Sequence, residues 1–75
     1  MNIVDILIDV HPELPAEQCT QMEQEISKCN GVVSVHFSPD HSHELTVAYD
    51  PQTVSSQRIL EITRQWDEAA TMAGL

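Results

Sequence analysis

Residues 15–31, PAEQCTQMEQEISKCNG, have the apolar spacing of a single amphipathic helix. The apolar positions recur every three or four residues, at Cys19, Met22, Ile26 and Cys29. A helix places residues with this spacing on one side, which can then face a core. Pro15 suits the first helical position, where the N–H that proline lacks would have no partner. Gly31 supplies the left-handed conformation at which helices often end.

The two cysteines of this stretch are ten residues apart, which corresponds to about 15 Å along a helix. The Cα atoms of a disulfide lie about 4.4–6.8 Å apart, so Cys19 and Cys29 cannot form one within a single helix. Both belong to the apolar side, and free thiols are common in protein cores. We therefore predict two buried thiols packed between helix and sheet.

The flanking segments alternate with a period of two, as strands with one buried and one exposed face do. Residues 2–11, 32–38 and 44–50 predict three strands, and a polar turn at residues 39–42 joins the last two. Their predicted inward residues are Val4, Ile6, Ile8 and Val10, then Val33, Val35 and Phe37, then Leu45, Val47 and Tyr49. The exposed face would carry Asp5, Leu7, Asp9, Ser34, His36, Thr46 and Ala48.

A second helix is predicted from residue 56 to residue 65, with Ser55 as its N-cap. Ile59, Ile62 and Trp66 repeat at helical spacing, so we expect all three to be largely buried. The tail allows two interpretations. Residues 68–72 either form a fourth strand at the sheet edge or continue as helix, which their alanines favour by propensity.

The order strand, helix, strand, strand, helix and fourth strand predicts an α+β fold, the ferredoxin-like βαββαβ sandwich. Four antiparallel strands would form the sheet, with both helices on one of its faces. A chain of 75 residues can support one small core, so we predict a single domain over residues 1–75.

Three basic residues against twelve acidic ones give the chain a net charge of -9. This charge repels nucleic acid and anionic membrane surfaces, so we expect neither as a partner. It suits metal ions or the basic face of another protein. No apolar run approaches the roughly 18 residues of a membrane span, and no basic region precedes the first apolar segment as in a secretory signal. We therefore expect a cytoplasmic protein.

Several short motifs match one protein family at consistent spacing. They are Val10 at the end of the first strand, Gly31-Val32 after the first helix, Val47-x-Tyr49-Asp50-Pro51-x-x-Val54-Ser55, and the later positions Ile59, Ile62 and Trp66. Over residues 3–72 the chain thus resembles a heavy-metal-associated domain, the copper- and zinc-handling module of metallochaperones and metal-pumping ATPases. The resemblance implies the ferredoxin-like fold and a role in metal binding or transfer.

The metal-binding motif of that family is absent from this sequence. Family members carry Gly-Met-x-Cys-x-x-Cys between the first strand and the first helix, and the two cysteines would fall at Pro15 and Gln18. Cys19 is one position beyond the second of these. Because two adjacent thiolates are what suits Cu(I), the family's site cannot be transferred to this chain.

The histidines supply a different candidate site. In the predicted topology, the exit of the first strand and the tip of the hairpin share one end of the domain. The residues gathered there are His11, His41 and His43, with Asp40 and Glu44 beside them. Imidazole and carboxylate ligands suit Zn²⁺, Ni²⁺ or Cu²⁺ rather than Cu(I). The alternative interpretation is that these are solvated loop residues.

Two functions remain open from the sequence. A divergent heavy-metal-associated-like protein would bind or transfer a divalent ion through its histidines. A metal-free protein–protein interaction module would present its acidic surface to a basic-faced partner, or pair through a strand edge as a homodimer. We do not expect an enzyme, because the sequence has no phosphate-binding loop, nucleophile motif or paired carboxylates with a pocket.

Overall fold

A computed structural model of the chain describes residues 2–10, 15–38 and 43–74. The elements in these ranges are β1 (Val4–Asp9), α1 (Ala16–Ser27), β2 (Val32–Phe37), β3 (Glu44–Tyr49), α2 (Ser56–Arg64) and β4 (Thr71–Gly74). The four strands form one antiparallel sheet in the order β2-β3-β1-β4. The α+β ferredoxin-like fold predicted from the sequence is therefore confirmed.

The core lies between the inner face of the sheet and the two helices. Its buried side chains include Ile6, Ile8, Leu45 and Val47 from the strands, Met22 and Ile26 from α1, and Ile59, Leu60 and Ile62 from α2. The alternation in β1 and β3 therefore predicts the buried face correctly. The opposite, outer sheet face carries Asp5, Leu7, Asp9, Ser34, His36, Glu44, Thr46 and Ala48, which are half-buried or exposed.

A β-bulge interrupts β2 and changes which of its valines faces the core. Val32 is opposite Tyr49 and Ser34 is opposite Ala48, so Val33 is an extra residue in the ladder. Val32 packs against the core instead, and Val33 is 60% exposed. The prediction that Val33 faces inward is therefore wrong, because a bulge shifts the register that strict alternation assumes.

Helix α1 is shorter than the predicted stretch of residues 15–31. Pro15 has a ψ of 147° and precedes the helix, which begins at Ala16 and ends at Ser27. Cys29 lies beyond this end, and its N–H donates to the Ile26 carbonyl at 3.0 Å in a tight turn. The turn exits through Gly31, whose φ of 101° confirms the predicted left-handed residue.

The prediction of two buried cysteines needs correction, because the buried residues of α1 lie between them in the chain. Met22 and Ile26 are the buried residues of the helix, whereas Cys19 and Cys29 are each half-buried. Cys29 packs against the edge of the core. No disulfide joins the two cysteines, although Cys29 lies beyond the helix on which the spacing argument depended.

Helix α2 begins at the predicted cap. The Ser55 hydroxyl accepts a hydrogen bond from the Arg58 backbone N–H at 3.1 Å, an interaction worth about 1 kcal/mol at a helix N-terminus. The helix ends at Arg64, one residue before the predicted end. Trp66 is half-buried rather than largely buried, because it follows the helix, and its indole N–H donates to the Glu25 carboxylate at 2.9 Å.

Of the two interpretations of the tail, the strand is confirmed. It begins at Thr71, three residues later than predicted, since the chain first makes a turn in which Ala70 N–H donates to the Asp67 carbonyl. β4 pairs with β1 at the edge of the sheet, with an irregularity between Leu7 and Ile8. In the ranges that the structure describes, neither helix is long and apolar enough to span a membrane.

Candidate metal centre

Three potential ligands meet at the end of the sheet where β1 leads towards α1. Asp9 is the last residue of β1, and the register places it opposite Glu44, the first residue of β3. His43 immediately precedes Glu44, and its carbonyl accepts a hydrogen bond from the Val10 N–H at 2.8 Å. One possible ligand atom from each of the three side chains lies within 4.8 Å of the others.

The hairpin backbone holds this group in place. The Ser38 N–H donates to the Glu44 carbonyl at 2.9 Å, which closes β2 against β3 directly beside the group. All three ligand residues are half-buried. Backbone hydrogen bonds at this end of the sheet therefore hold the segments that carry the three side chains.

The donor set of this group is one imidazole nitrogen and two carboxylates. Such ligands suit borderline and harder divalent ions, and not the soft Cu(I) ion. Zinc–ligand bonds of about 2.1 Å require ligand atoms within about 4 Å of one another, which is close to the 4.8 Å within which these atoms lie. Three protein ligands would leave a fourth position of a tetrahedral ion open.

The structure brings together part of the site predicted from the sequence. His43 and Glu44 belong to the group, whereas His11, Asp40 and His41 lie outside the described residues. His36 is exposed on β2 opposite Thr46, on the outer sheet face where the sequence places it.

Asp9 was not among the ligands predicted from the sequence. Alternation identifies it only as an outward residue near the end of β1. Its role depends on the β1–β3 register, which pairs residues 35 positions apart in the chain (44 minus 9). The signal that could have revealed it is the position of Asp9 at the strand exit, beside the predicted hairpin residues.

The positions that correspond to the family's cysteines offer no thiol. Pro15 and Gln18 are both exposed at the start of α1. These residues do not fit a two-thiolate Cu(I) site. Cys19 is the nearest thiol in sequence, and it lies on α1, where its backbone N–H donates to the Pro15 carbonyl at 3.0 Å.

The environment of Cys19 disfavours its thiolate. Burial raises the pKa of the Cys19 thiol above its ordinary value, and the nearby Glu23 carboxylate raises it further. The thiol is therefore protonated at neutral pH. Because the thiolate is the metal ligand and the nucleophile, Cys19 is a poor substitute for the missing pair.

Replacing Glu23 with glutamine is expected to lower the pKa of Cys19 and speed its alkylation at neutral pH. The substitution removes one of the two causes of the shift but leaves burial in place. The glutamine carbonyl can still accept the Phe37 N–H, which Glu23 Oε1 accepts at 3.2 Å. The measurement is the rate of iodoacetamide alkylation against pH in a Cys29→Ser background.

Glu17→Gln is the matched control for this experiment, since Glu17 is an exposed carboxylate in the first turn of the same helix. It should leave the midpoint of the alkylation profile in place. An unchanged midpoint in Glu23→Gln would show that the carboxylate does not influence the thiol.

The fold has well-matched neighbours among solved structures, although similarity in sequence is low. A putative copper-ion-binding protein from Bacillus anthracis str. Ames has a TM-score of 0.77 at 14% identity, covering 95% of this chain and 96% of its own. A copper binding domain from HMA7, a P-type ATPase, has a TM-score of 0.74 at 20% identity, covering 95% and 92%.

A third neighbour is the mercury-bound form of MerP, the periplasmic protein of the bacterial mercury detoxification system. Its TM-score is 0.72 at 18% identity, and the alignment covers 95% of this chain and 97% of MerP. No protein-family profile matches the sequence, and no curated protein is significantly similar to it. The chain therefore has the fold of heavy-metal-associated domains, as the sequence resemblance implies.

Proposed function

We propose that the chain is a small non-enzymatic protein that binds, and passes on, a divalent metal ion through Asp9, His43 and Glu44. The observation that carries this proposal is the convergence of the three side chains within 4.8 Å. The fold supports it, since neighbours of the same fold are described as binding copper or mercury. His11 and His41 are additional ligands that the proposal allows.

The expected metal differs from the Cu(I) for which two adjacent thiolates are suited. Pro15 and Gln18 stand at the positions where the family has those cysteines. The raised pKa of Cys19, the nearest cysteine in sequence, keeps its thiol protonated. Imidazole and carboxylate favour Zn²⁺, Ni²⁺ or Cu²⁺. We therefore expect selectivity for these ions over Cu(I).

Titration with Zn²⁺ against a chromophoric chelator tests the site. Asp9→Asn, His43→Gln and Glu44→Gln keep side-chain size and each remove one ligand. Each variant is expected to weaken Zn²⁺ binding by about tenfold or more, since even partners that only orient ligands cost that much when removed. Since metal ligands must be deprotonated, binding by the wild type should weaken as the pH is lowered.

Two outer-face residues provide matched controls. Asp5→Asn makes the same change as Asp9→Asn on the same strand, and His36→Gln makes the same change as His43→Gln at an exposed position of β2. Both should bind Zn²⁺ like the wild type, and so should Cys19→Ser. Saturable binding that survives loss of His43 would refute this site, and loss only in Cys19→Ser would assign the metal to an adventitious thiol.

The second candidate function is the metal-free interaction module. It is favoured by the acidic outer sheet face, which carries the carboxylates of Asp5, Asp9 and Glu44. Absence of Zn²⁺, Ni²⁺ and Cu²⁺ binding in the micromolar range would make it the better account of this chain.

A further inference from the structure

Strand β4 flanks the candidate ligand Asp9 on the side away from Glu44. The register places Thr71, the first residue of β4, directly opposite Asp9. The Val10 N–H is directed towards the His43 carbonyl, beside β3. Because backbone groups alternate in direction along a strand, the N–H and C=O of Asp9 point the other way, towards β4. The backbone of this ligand residue is therefore held by Thr71.

β4 is a short strand at the edge of the sheet. It is four residues long, and its register with β1 is irregular between Leu7 and Ile8. A strand of this kind opens more readily than a central strand, because only one neighbouring strand holds it. The position of Thr71 beside Asp9 therefore depends on what holds the segment just before β4.

Arg64, the last residue of α2, anchors that segment. Its Nε donates to the Ala70 carbonyl at 3.0 Å, and Ala70 is fully buried. The Ala70 N–H donates to the Asp67 carbonyl, also at 3.0 Å. Both backbone groups of Ala70 are thus bonded to residues at the end of α2 or just beyond it. Since Thr71 follows directly, these bonds tie the start of β4 to the helical layer.

We propose that Arg64 is a positioning residue of the metal centre, which acts on Asp9 through Ala70 and Thr71 and so raises the affinity for a divalent ion. This inference rests on the proposed metal-binding function. The sign of the effect separates positioning from charge. Arg64 is a cation, so loss of its charge alone would strengthen the binding of a divalent ion. Loss of the anchor would leave Asp9 less ordered and would weaken binding, as loss of groups that orient metal ligands does.

Arg64→Met removes the charge and the donor but keeps a long, unbranched side chain of high helix propensity. We expect it to weaken Zn²⁺ binding several-fold in the chelator titration. Arg58→Met is the matched control, because it removes the same charge from the same helix, at a side chain that lies 3.6 Å from Glu61. It should not weaken Zn²⁺ binding. Both arginines are exposed, so neither change should unfold the domain.

Amide hydrogen exchange, followed by NMR without metal, tests the anchor directly. Arg64→Met should speed exchange of the Thr71 N–H several-fold, whereas Arg58→Met should leave it unchanged. Val47, in the central strand β3, is the reference for any change in global stability. In the wild type, Zn²⁺ should slow exchange at Thr71, because coupling between two sites is reciprocal.

Two results would overturn the inference. One is Zn²⁺ binding by Arg64→Met that equals binding by Arg58→Met, and the other is exchange at Thr71 that Arg64→Met leaves unchanged. Failure of the proposed function has a different signature. If the wild type binds no Zn²⁺, or if Asp9→Asn does not weaken binding, the metal centre is rejected together with the role of Arg64 in it. Faster exchange at Thr71 in Arg64→Met would then still assign Arg64 as the anchor of β4.

Discussion

Gly31→Ala is expected to lower the free energy of unfolding by about 2–4 kcal/mol, a large share of the stability of a domain this small. Two costs add at this position. The φ of 101° is unfavourable for any residue with an L side chain. A Cβ at Gly31 would also lie 2.9 Å from Thr53 Cβ and Cγ2 and from Val54 Cγ1, closer than real Cβ atoms approach their neighbours.

The crowding has little room to relax, because the facing loop is itself held in place. The Gly31 carbonyl accepts the Asp50 N–H at 2.8 Å, which ties the exit of α1 to the end of β3. The Asp50 carboxylate accepts from Gln52 N–H at 3.0 Å and from the Thr53 hydroxyl at 2.9 Å. Moving Thr53 away from a new methyl group would therefore disturb this hydrogen-bonded turn.

Urea denaturation followed by the fluorescence of Trp66 measures the effect, since it is the single tryptophan. Gly31→Asn separates the two causes. Asparagine tolerates positive φ but has the same Cβ, so it should recover only the backbone part. Asn30→Ala, at the exposed neighbouring residue, is the control and should change stability by less than about 0.5 kcal/mol. A Gly31→Ala value as small as this control would contradict the expectation.

Local patterns account for the parts of the fold that were predicted correctly. Alternation in β1 and β3 identifies the inner face, because both strands run without interruption through a half-buried sheet. Ser55 marks the start of α2, because its hydroxyl satisfies a backbone N–H that has no partner within the helix. These signals come from residues that are close together in the chain, so they can be recognised in a single sequence.

The wrong or missing predictions concern residues whose surroundings are set by segments distant in the chain. Cys19 and Cys29 have helical spacing, yet the helix ends at Ser27 and its fully buried residues are Met22 and Ile26, so both thiols are only half-buried. Asp9 becomes a candidate ligand only when the register places it opposite Glu44. The identity of the fold was readable from motifs, whereas the candidate site required the positions of strands relative to one another.

Val47→Ala should lower the free energy of unfolding by about 2–3 kcal/mol, because two fully buried methyl groups are removed from the core. The same substitution at Val33 removes the same atoms from a side chain that is 60% exposed. It should change stability by less than about 0.5 kcal/mol.

This pair tests the β2 bulge without a new structure. Both changes convert valine to alanine within a strand, so the same atoms are removed in both variants. If β2 alternated without a bulge, Val33 would face the core and both variants would lose comparable stability. Equal losses in urea denaturation would therefore contradict the bulge and the exposed position of Val33.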